Sequence, residues 1–217
     1  MRAVVVAGGD PEASDARWLE GAGLVVAADA GAAWLERVGR RPDLLVGDLD
    51  SVEPALVERL ERAGVAVERH PVDKDASDAE LAVSRAAHAG ATSIVVLGAL
   101  GGGRLDHELA NLLLIADPDW VGAGHDLRIV RGGTLVRAVH GGERLGLEAG
   151  VGGIVTLLPV GGDAEGVETD GLRFLLAGER LRFGRSRGLS NEVVAVPASV
   201  ALAGGTLLVV ERTTEGA

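Results

Sequence analysis

The feature that most constrains this chain is a rhythm in its first 130 residues. Short apolar runs, each closed by polar or glycine residues, alternate with segments of helical pattern. The runs are "AVVVAGG" (residues 3–9), "LVVAADAG" (24–31), "DLLVGDLDS" (43–51), "VAVERHP" (65–71), "TSIVVLGALGG" (92–102) and "DLRIV" (126–130). Most are apolar at consecutive positions, so both faces of each strand seek cover. Strands of that kind joined through helices form a parallel sheet with helices on both sides, a three-layer α/β arrangement with right-handed crossovers. The helical signals agree. "VEPALVERLERAG" has Pro54 in its first turn, Gly64 past its end and Ser51 as a candidate N-cap. Ser77 and Glu80 have the spacing of a capping box.

After about residue 130 the texture changes. Strand-like pieces such as "TLVRAV", "GGIVTLLPV", "LRFLLAG", "ERLRFG" and "GGTLLVVE" are separated by glycine-containing turns every eight to twelve residues. That spacing predicts an antiparallel β-sandwich. The expected fold is therefore α/β plus all-β, with an α/β domain over residues 1–137 and a β-sandwich over 138–217. The last residues, "TTEGA", read as a frayed end.

Composition narrows the function. The chain has no cysteine, which excludes disulfides, thiolate nucleophiles and Cys-ligated zinc. A formal net charge of −11 and only 2% aromatic residues argue against nucleic acid and anionic membranes as partners. No run approaches the ~20 apolar residues that span a bilayer. "MRAVVVAGGD" reads as a first strand and not as an export signal, so the expected location is the cytoplasm. Lysine occurs once, as Lys74 inside "DKDASD", which draws attention to that position.

In open parallel sheets, ligands bind beyond the carboxyl ends of the strands. Polar residues gather there repeatedly. Asp29 follows the second run, Asp48 and Asp50 the third, Asp73–Asp78 the fourth, and Gly101–His107 the fifth. If residues 47–50 stay extended, Asp48 and Asp50 point to one side. Neighbouring carboxylates repel unless a cation lies between them. Mg2+ suits such oxygen ligands and commonly bridges them to phosphates, whereas the five histidines show no paired zinc-ligand spacing. On the helix from Arg104, residues Arg104, His107 and Asn111 share a face beside a glycine-rich loop, a setting that favours phosphate. Leu105, Leu109, Leu112 and Leu113 form another face, expected to pack into the core.

Competing motifs fit less well. "LLVGDLDSVE" has the D-x-D of haloacid-dehalogenase-type phosphatases, but two βα units precede it. Glycosyltransferases also carry a D-x-D, a pattern of low specificity. No G-x-x-x-x-G-K-[ST] occurs, and "GALGGGR" does not match G-x-G-x-x-G.

Taken together, "ADAGAAWL" (28–35), "PDLLVGDLDS" (42–51), "DKDASDAELA" (73–82), "LGALGGGRLDHELANLLLI" (97–115) and "TDGLRFLL…LRFGRSRGLSNE" (169–192) resemble the thiamine pyrophosphokinase family, in family order over nearly the whole chain. The resemblance implies an α/β nucleotide-binding domain and a β-sandwich. It also implies transfer of diphosphate from ATP to thiamine, giving thiamine diphosphate and AMP, in a homodimer with active sites at the subunit interface. By the same resemblance, Asp48, Asp50 and Asp78 hold Mg2+, and Asp48, Asp50, Asp75, Asp78 and Arg104 serve catalysis. Asp29, Asp106, His107 and Asn111 line the nucleotide and diphosphate region, while Phe174, Ser190 and Asn191 contact thiamine. Phe174 stands where some members carry tryptophan, "GDLDS" has leucine where phenylalanine is common, and "KDASD" has serine where threonine is common. The glycine run before Arg104 is one residue longer than "GGR". Two other readings share the acidic rim: a diphosphokinase for a hydroxymethylpterin, and a nucleotide or thiamine sensor without turnover.

Overall fold

The structure, a computed structural model, describes residues 1–213. All of "TTEGA" but Thr213 lies outside the described residues. The chain divides into two compact units. One comprises Met1–Leu114 with Asp119–Gly132, and the other comprises Ile115–Pro118 together with the chain from Gly133 onward. The estimated boundary at residue 137 falls inside a strand, Thr134–His140, that belongs wholly to the second unit. The glycine pair Gly132–Gly133, which follows "DLRIV" after one residue, marks the division more closely.

The first unit contains β1 (Arg2–Val6), β2 (Leu24–Ala28), β3 (Leu44–Gly47), β4 (Ala66–Arg69), β5 (Ser93–Leu97) and β6 (Asp126–Arg131). They form a parallel array in the order β4-β3-β2-β1-β5-β6. Residues Ala3–Val6, Val25–Ala28 and Ile94–Leu97 are buried, as strands covered on both faces require. β4 lies at the end of this order and has no buried residue. The connecting helices are α1 (Gly31–Arg37), α2 (Pro54–Arg62), α3 (Asp78–His88), α4 (Leu105–Ile115) and the short α5 (Pro118–Gly122). The segment after β1 is a 3-10 helix, Ala13–Leu19. Its Asp15 is fully buried and accepts hydrogen bonds from the backbone N–H groups of Glu12 and Gly132, each at 2.8 Å.

From β1 the chain adds β2, β3 and β4 on one side, then returns to place β5 on the other side of β1. The order therefore reverses between β1 and β5, which is where such sheets open a crevice for a ligand.

Two sequence expectations change here. Ser77 caps α3, its hydroxyl accepting from the Glu80 N–H at 3.1 Å, but Ser51 does not cap α2. Glu53 occupies that N-cap with no side-chain bond, and the Ser51 hydroxyl turns to Asp29. The leucine face of α4 is not core either. Leu105, Leu109 and Leu113 are 67%, 51% and 59% exposed, and the helix buries Asn111 and Ile115 instead. Helical spacing identifies an apolar stripe but not what covers it.

The second unit is antiparallel. β7 (Thr134–His140) and β9 (Ile154–Asp170) flank β13 (Gly204–Arg212). The later part of β9 pairs with β10 (Ala177–Leu181) and β12 (Ser199–Ala201), and β12 pairs in turn with β8 (Arg144–Gly146). The short β11 (Asn191–Glu192) pairs with the start of β9. One long strand thus serves two sheets, and Val139, Leu157, Val167, Leu181, Val200 and Leu207 belong to the apolar core of this unit. Over "LRFLLAG" the expected strand gives way to bends with an isolated bridge, Leu172 to Val193, until β10 begins at Ala177.

The second unit also buries a charge pair. Arg137 pairs with Glu211, which is 1% exposed, and donates to the Gly146 carbonyl at 2.8 Å. Glu211 Oε2 accepts from the backbone N–H groups of Glu148 and Ala149. A buried carboxylate is tolerated when both oxygens are satisfied in this way.

Candidate active site

At the reversal between β1 and β5, the first unit opens a cleft of about 730 Å³. It is lined by the small residues Ala7–Gly9, Gly98, Ala99, Gly101 and Gly102, and by Asp29, Asp48, Lys74, Asp78, Arg104 and Asn111. The close lining depends on glycine. A Cβ on Gly9 would stand 2.4 Å from the Gly98 carbonyl oxygen.

Asp29, Asp48 and Asp78 come together in this cleft, each offering a carboxylate oxygen within 4.8 Å of the others. They arrive from three elements. Asp29 follows β2 in the left-handed region, at φ 49°, and its backbone N–H donates to the Val46 carbonyl at 2.9 Å. Asp48 follows β3, and Asp78 opens α3. Gly47, at φ 151°, makes room for two of them. A Cβ there would meet Asp29 Oδ1 at 2.9 Å and Asp78 Oδ1 at 3.2 Å.

The segment from Gly47 to Asp50 is not extended as the strand argument assumed. Leu49 lies at φ 64°, and its N–H donates to Asp29 Oδ1 at 2.9 Å. Asp48 Oδ1 accepts the Asp50 N–H at 3.2 Å, a side-chain turn of the kind aspartate favours. Asp48 joins the trio in consequence, while Asp50 is exposed and lines the cleft outside it. Asp29, expected in the nucleotide region, stands beside Asp48 and Asp78. Left-handed backbone at non-glycine residues costs about 1–3 kcal/mol and tends to cluster at functional sites. Among the described residues it occurs at Asp29, Leu49 and Ser190, each in or beside an expected site position.

The electrostatics follow from this crowding. Burial raises the Asp29 pKa above the ordinary 3.8; the Ser51 hydroxyl offsets part of this, and the charges of Asp78 and Asp48 add to it. Asp48 is shifted the other way, first by a hydrogen bond from Lys74 and then by the Asp50 N–H. Lys74 Nζ lies 3.0 Å from Asp48 Oδ2, 3.3 Å from Asp78 Oδ1 and 3.2 Å from the Pro71 carbonyl oxygen. Burial disfavours its charge, but the two carboxylates outweigh that and hold its pKa above 10.5. Asp78 Oδ1 is buried and accepts no hydrogen bond of good geometry. Three converging carboxylates, one with an oxygen still lacking a donor, are a donor set that fits a hard divalent cation.

The other expected residues fall as follows. Arg104 and Asp106 form a two-point pair at 2.9 and 2.7 Å, both exposed at the cleft mouth, and Arg104 holds the Asp106 carboxyl well below its ordinary range. His107 and Asp75 are exposed and line the cleft. Asn111 is buried and donates to the Ala99 carbonyl at 2.8 Å, tying α4 to the loop after β5. In the second unit, Asn191 and Phe174 are joined by two bonds: Phe174 N–H to Asn191 Oδ1 at 3.0 Å, and Asn191 Nδ2 to the Phe174 carbonyl at 2.7 Å. Phe174 is left 66% exposed. Ser190 N–H donates to Thr156 Oγ1 at 3.0 Å. Sequence reasoning missed the roles of Ser51 and Gly47 and left Lys74 without one, although its being the sole lysine was a usable signal.

The family model described as thiamin pyrophosphokinase, catalytic domain, matches residues 16–123, and that described as thiamin pyrophosphokinase, vitamin B1 binding domain, matches residues 145–207. The chain belongs to the thiamin pyrophosphokinase family. The cleft residues from Asp29 to Asn111 lie within the first match, and Phe174, Ser190 and Asn191 lie within the second. The chain is 30% identical over 169 residues to thiamine pyrophosphokinase 2 of Oryza sativa subsp. japonica, covering 73% of this chain and 61% of that one. It therefore spans about three fifths of the length of that rice relative. It is 24% identical over 190 residues to thiamine pyrophosphokinase of Bacillus subtilis (strain 168), covering 88% and 87% of the two chains. The crystal structure of thiamine pyrophosphokinase from Bacillus subtilis shares the fold, with a TM-score of 0.87 at 22% identity over 99% of this chain and 100% of that one. The α/β plus β-sandwich architecture is thus that of the family. Among the described residues, no helix is long and apolar enough to cross a membrane.

Proposed function

We propose that this chain is a thiamine diphosphokinase, transferring diphosphate from ATP to the hydroxyethyl group of thiamine to give thiamine diphosphate and AMP. The observation that carries this reading is the convergence of Asp29, Asp48 and Asp78 in the switch-point cleft, within a chain that also matches a vitamin B1 binding domain. Asp29, Asp48 and Asp78 would hold Mg2+, with Asp50 beside them. When bound there, the ion would neutralise the β- and γ-phosphate oxygens of ATP.

The chain's own residues account for the rest. Diphosphate transfer depends on positioning and charge neutralisation more than on a strong base. The glycines that line the cleft, Gly8, Gly9, Gly98, Gly101 and Gly102, let the phosphates approach with little side-chain obstruction. The Arg104 guanidinium, exposed at the start of α4, would turn from Asp106 to the phosphates and balance charge as AMP departs. Asn111 holds the loop after β5 in place. Asp75, an exposed carboxylate that lines the cleft three residues before Asp78, suits acceptance of the proton from the alcohol. Phe174, with a free ring face, would stack on thiamine, and Ser190 and Asn191 would fix its polar edge.

We further read the chain as a cytoplasmic homodimer with active sites at the subunit interface. The bare leucine stripe of α4 supports the dimer, as do the exposed Phe174, Leu175, Phe183 and Val196 of the second unit. Incubation with MgATP and thiamine tests the activity. Thiamine-dependent AMP together with thiamine diphosphate is the expected result. AMP formed only with a hydroxymethylpterin, or tight binding with no AMP, overturns it.

A further inference from the structure

Three carboxylates in one cleft pose a problem before any ligand arrives, and Lys74 is the group that meets it. Its side chain is 13% exposed, and its Nζ donates to Asp48 Oδ2 at 3.0 Å and to the Pro71 carbonyl at 3.2 Å, with Asp78 Oδ1 3.3 Å away. No contact reaches Asp29 from Lys74; Asp29 is served by the Leu49 N–H and the Ser51 hydroxyl. The lysine therefore spans two of the three carboxylates that a metal ion would bind. Two of its donors are used by Asp48 Oδ2 and the Pro71 carbonyl, and it meets Asp78 Oδ1 by charge at 3.3 Å without a well-formed hydrogen bond.

We infer that Lys74 is a resident counter-cation that holds the place of the divalent ion and gives it up only when the nucleotide arrives. This rests on reading Asp29, Asp48 and Asp78 as the metal site. A metal ion alone must break the Lys74 contacts to Asp48 and Asp78 and leave an ammonium stranded at the cleft wall. A metal ion arriving with a polyphosphate brings acceptor oxygens for that ammonium, so the displacement is compensated. Metal and nucleotide then strengthen one another's binding, and linkage makes the coupling equal in both directions. The device keeps the site from filling with free metal and ties loading to the co-substrate.

The test is Mn2+ binding, followed by the paramagnetic signal of free Mn2+, with and without α,β-methylene-ATP. The full-length protein is compared with Lys74→Met, Lys74→Arg and Asp78→Asn. Lys74→Met should bind Mn2+ about tenfold more tightly without nucleotide, the scale of one hydrogen bond to a charged group, and the strengthening by nucleotide should shrink by the same factor. Lys74→Arg, which keeps a cation there, should stay close to the unsubstituted protein. Equal or weaker Mn2+ binding by Lys74→Met, while Asp78→Asn abolishes it, overturns the role of Lys74 and leaves the metal site standing. Mn2+ binding unchanged by Asp78→Asn overturns the metal reading itself. Because Lys74 is the only lysine, its 15N-labelled ammonium gives a check that needs no variant. Its resonance should hold with Mg2+ alone and move when Mg2+ and the analogue are added together; a resonance indifferent to both overturns the inference.

Discussion

Gly47 is the residue on which the acidic trio turns. At φ 151°, with Asp29 Oδ1 and Asp78 Oδ1 on its open side, it has no room for a side chain. Gly47→Ala should lower stability by about 1–3 kcal/mol in urea melts and weaken divalent-metal binding, since the added methyl pushes two carboxylates apart. Asp48→Ala should remove most turnover while the far-ultraviolet circular dichroism stays native; near-normal turnover would refute its role. The trio also sets opposite pH behaviour in neighbouring groups. Asp29 has a raised pKa, so its ionised form subtracts stability at neutral pH, and that loss is relieved as pH falls through its folded pKa. Asp48 has a lowered pKa, so it adds stability above 3.8 that is lost as pH falls through its folded value. Carboxyl 13C titration should place the Asp29 midpoint above 3.8 and the Asp48 midpoint below it, with a divalent cation pulling the Asp29 midpoint down.

At the scale of elements, α4 separates what a pattern encodes from what it leaves open. The parallel strands were legible because consecutive apolar residues such as Val4–Val6 and Val95–Leu97 have one stable use, burial on both faces. Acids placed after such strands must then sit on one rim, so most of the cleft could be read from order alone. The leucines of α4 were misread because an apolar stripe looks the same whether its own chain or another molecule covers it. Asp29 and Asp50 exchanged places relative to the trio because a left-handed Leu49 breaks the alternation of a strand, and nothing in a leucine announces that conformation. Leu109→Glu should leave the monomer folded, since that side chain is already half exposed, and should shift the proposed dimer toward monomer in sedimentation. In the second unit, Glu211→Ala removes the buried partner of Arg137, which keeps only Glu148 at 3.3 Å and the Gly146 carbonyl, and it unpairs the Glu148 and Ala149 N–H groups, so it should cost about 3–5 kcal/mol in thermal or chemical unfolding.

Over the whole molecule, a net charge of −11 sets the terms of encounter with the ATP of the proposed reaction. Free ATP should meet long-range repulsion that salt screens, so its association rate without metal should rise with ionic strength, and the slope should flatten when ATP arrives as its magnesium complex. Stopped-flow measurements with a fluorescent nucleotide check both limbs. The second unit carries a different consequence. Because β9 runs from the β13 sheet into the sheet of β10 and β12, neither sheet can part from the core while the other stays whole. Amide hydrogens of β7, β9, β12 and β13 should therefore exchange with deuterium in one shared opening event, and a single cut within β9 should erase their slow exchange together.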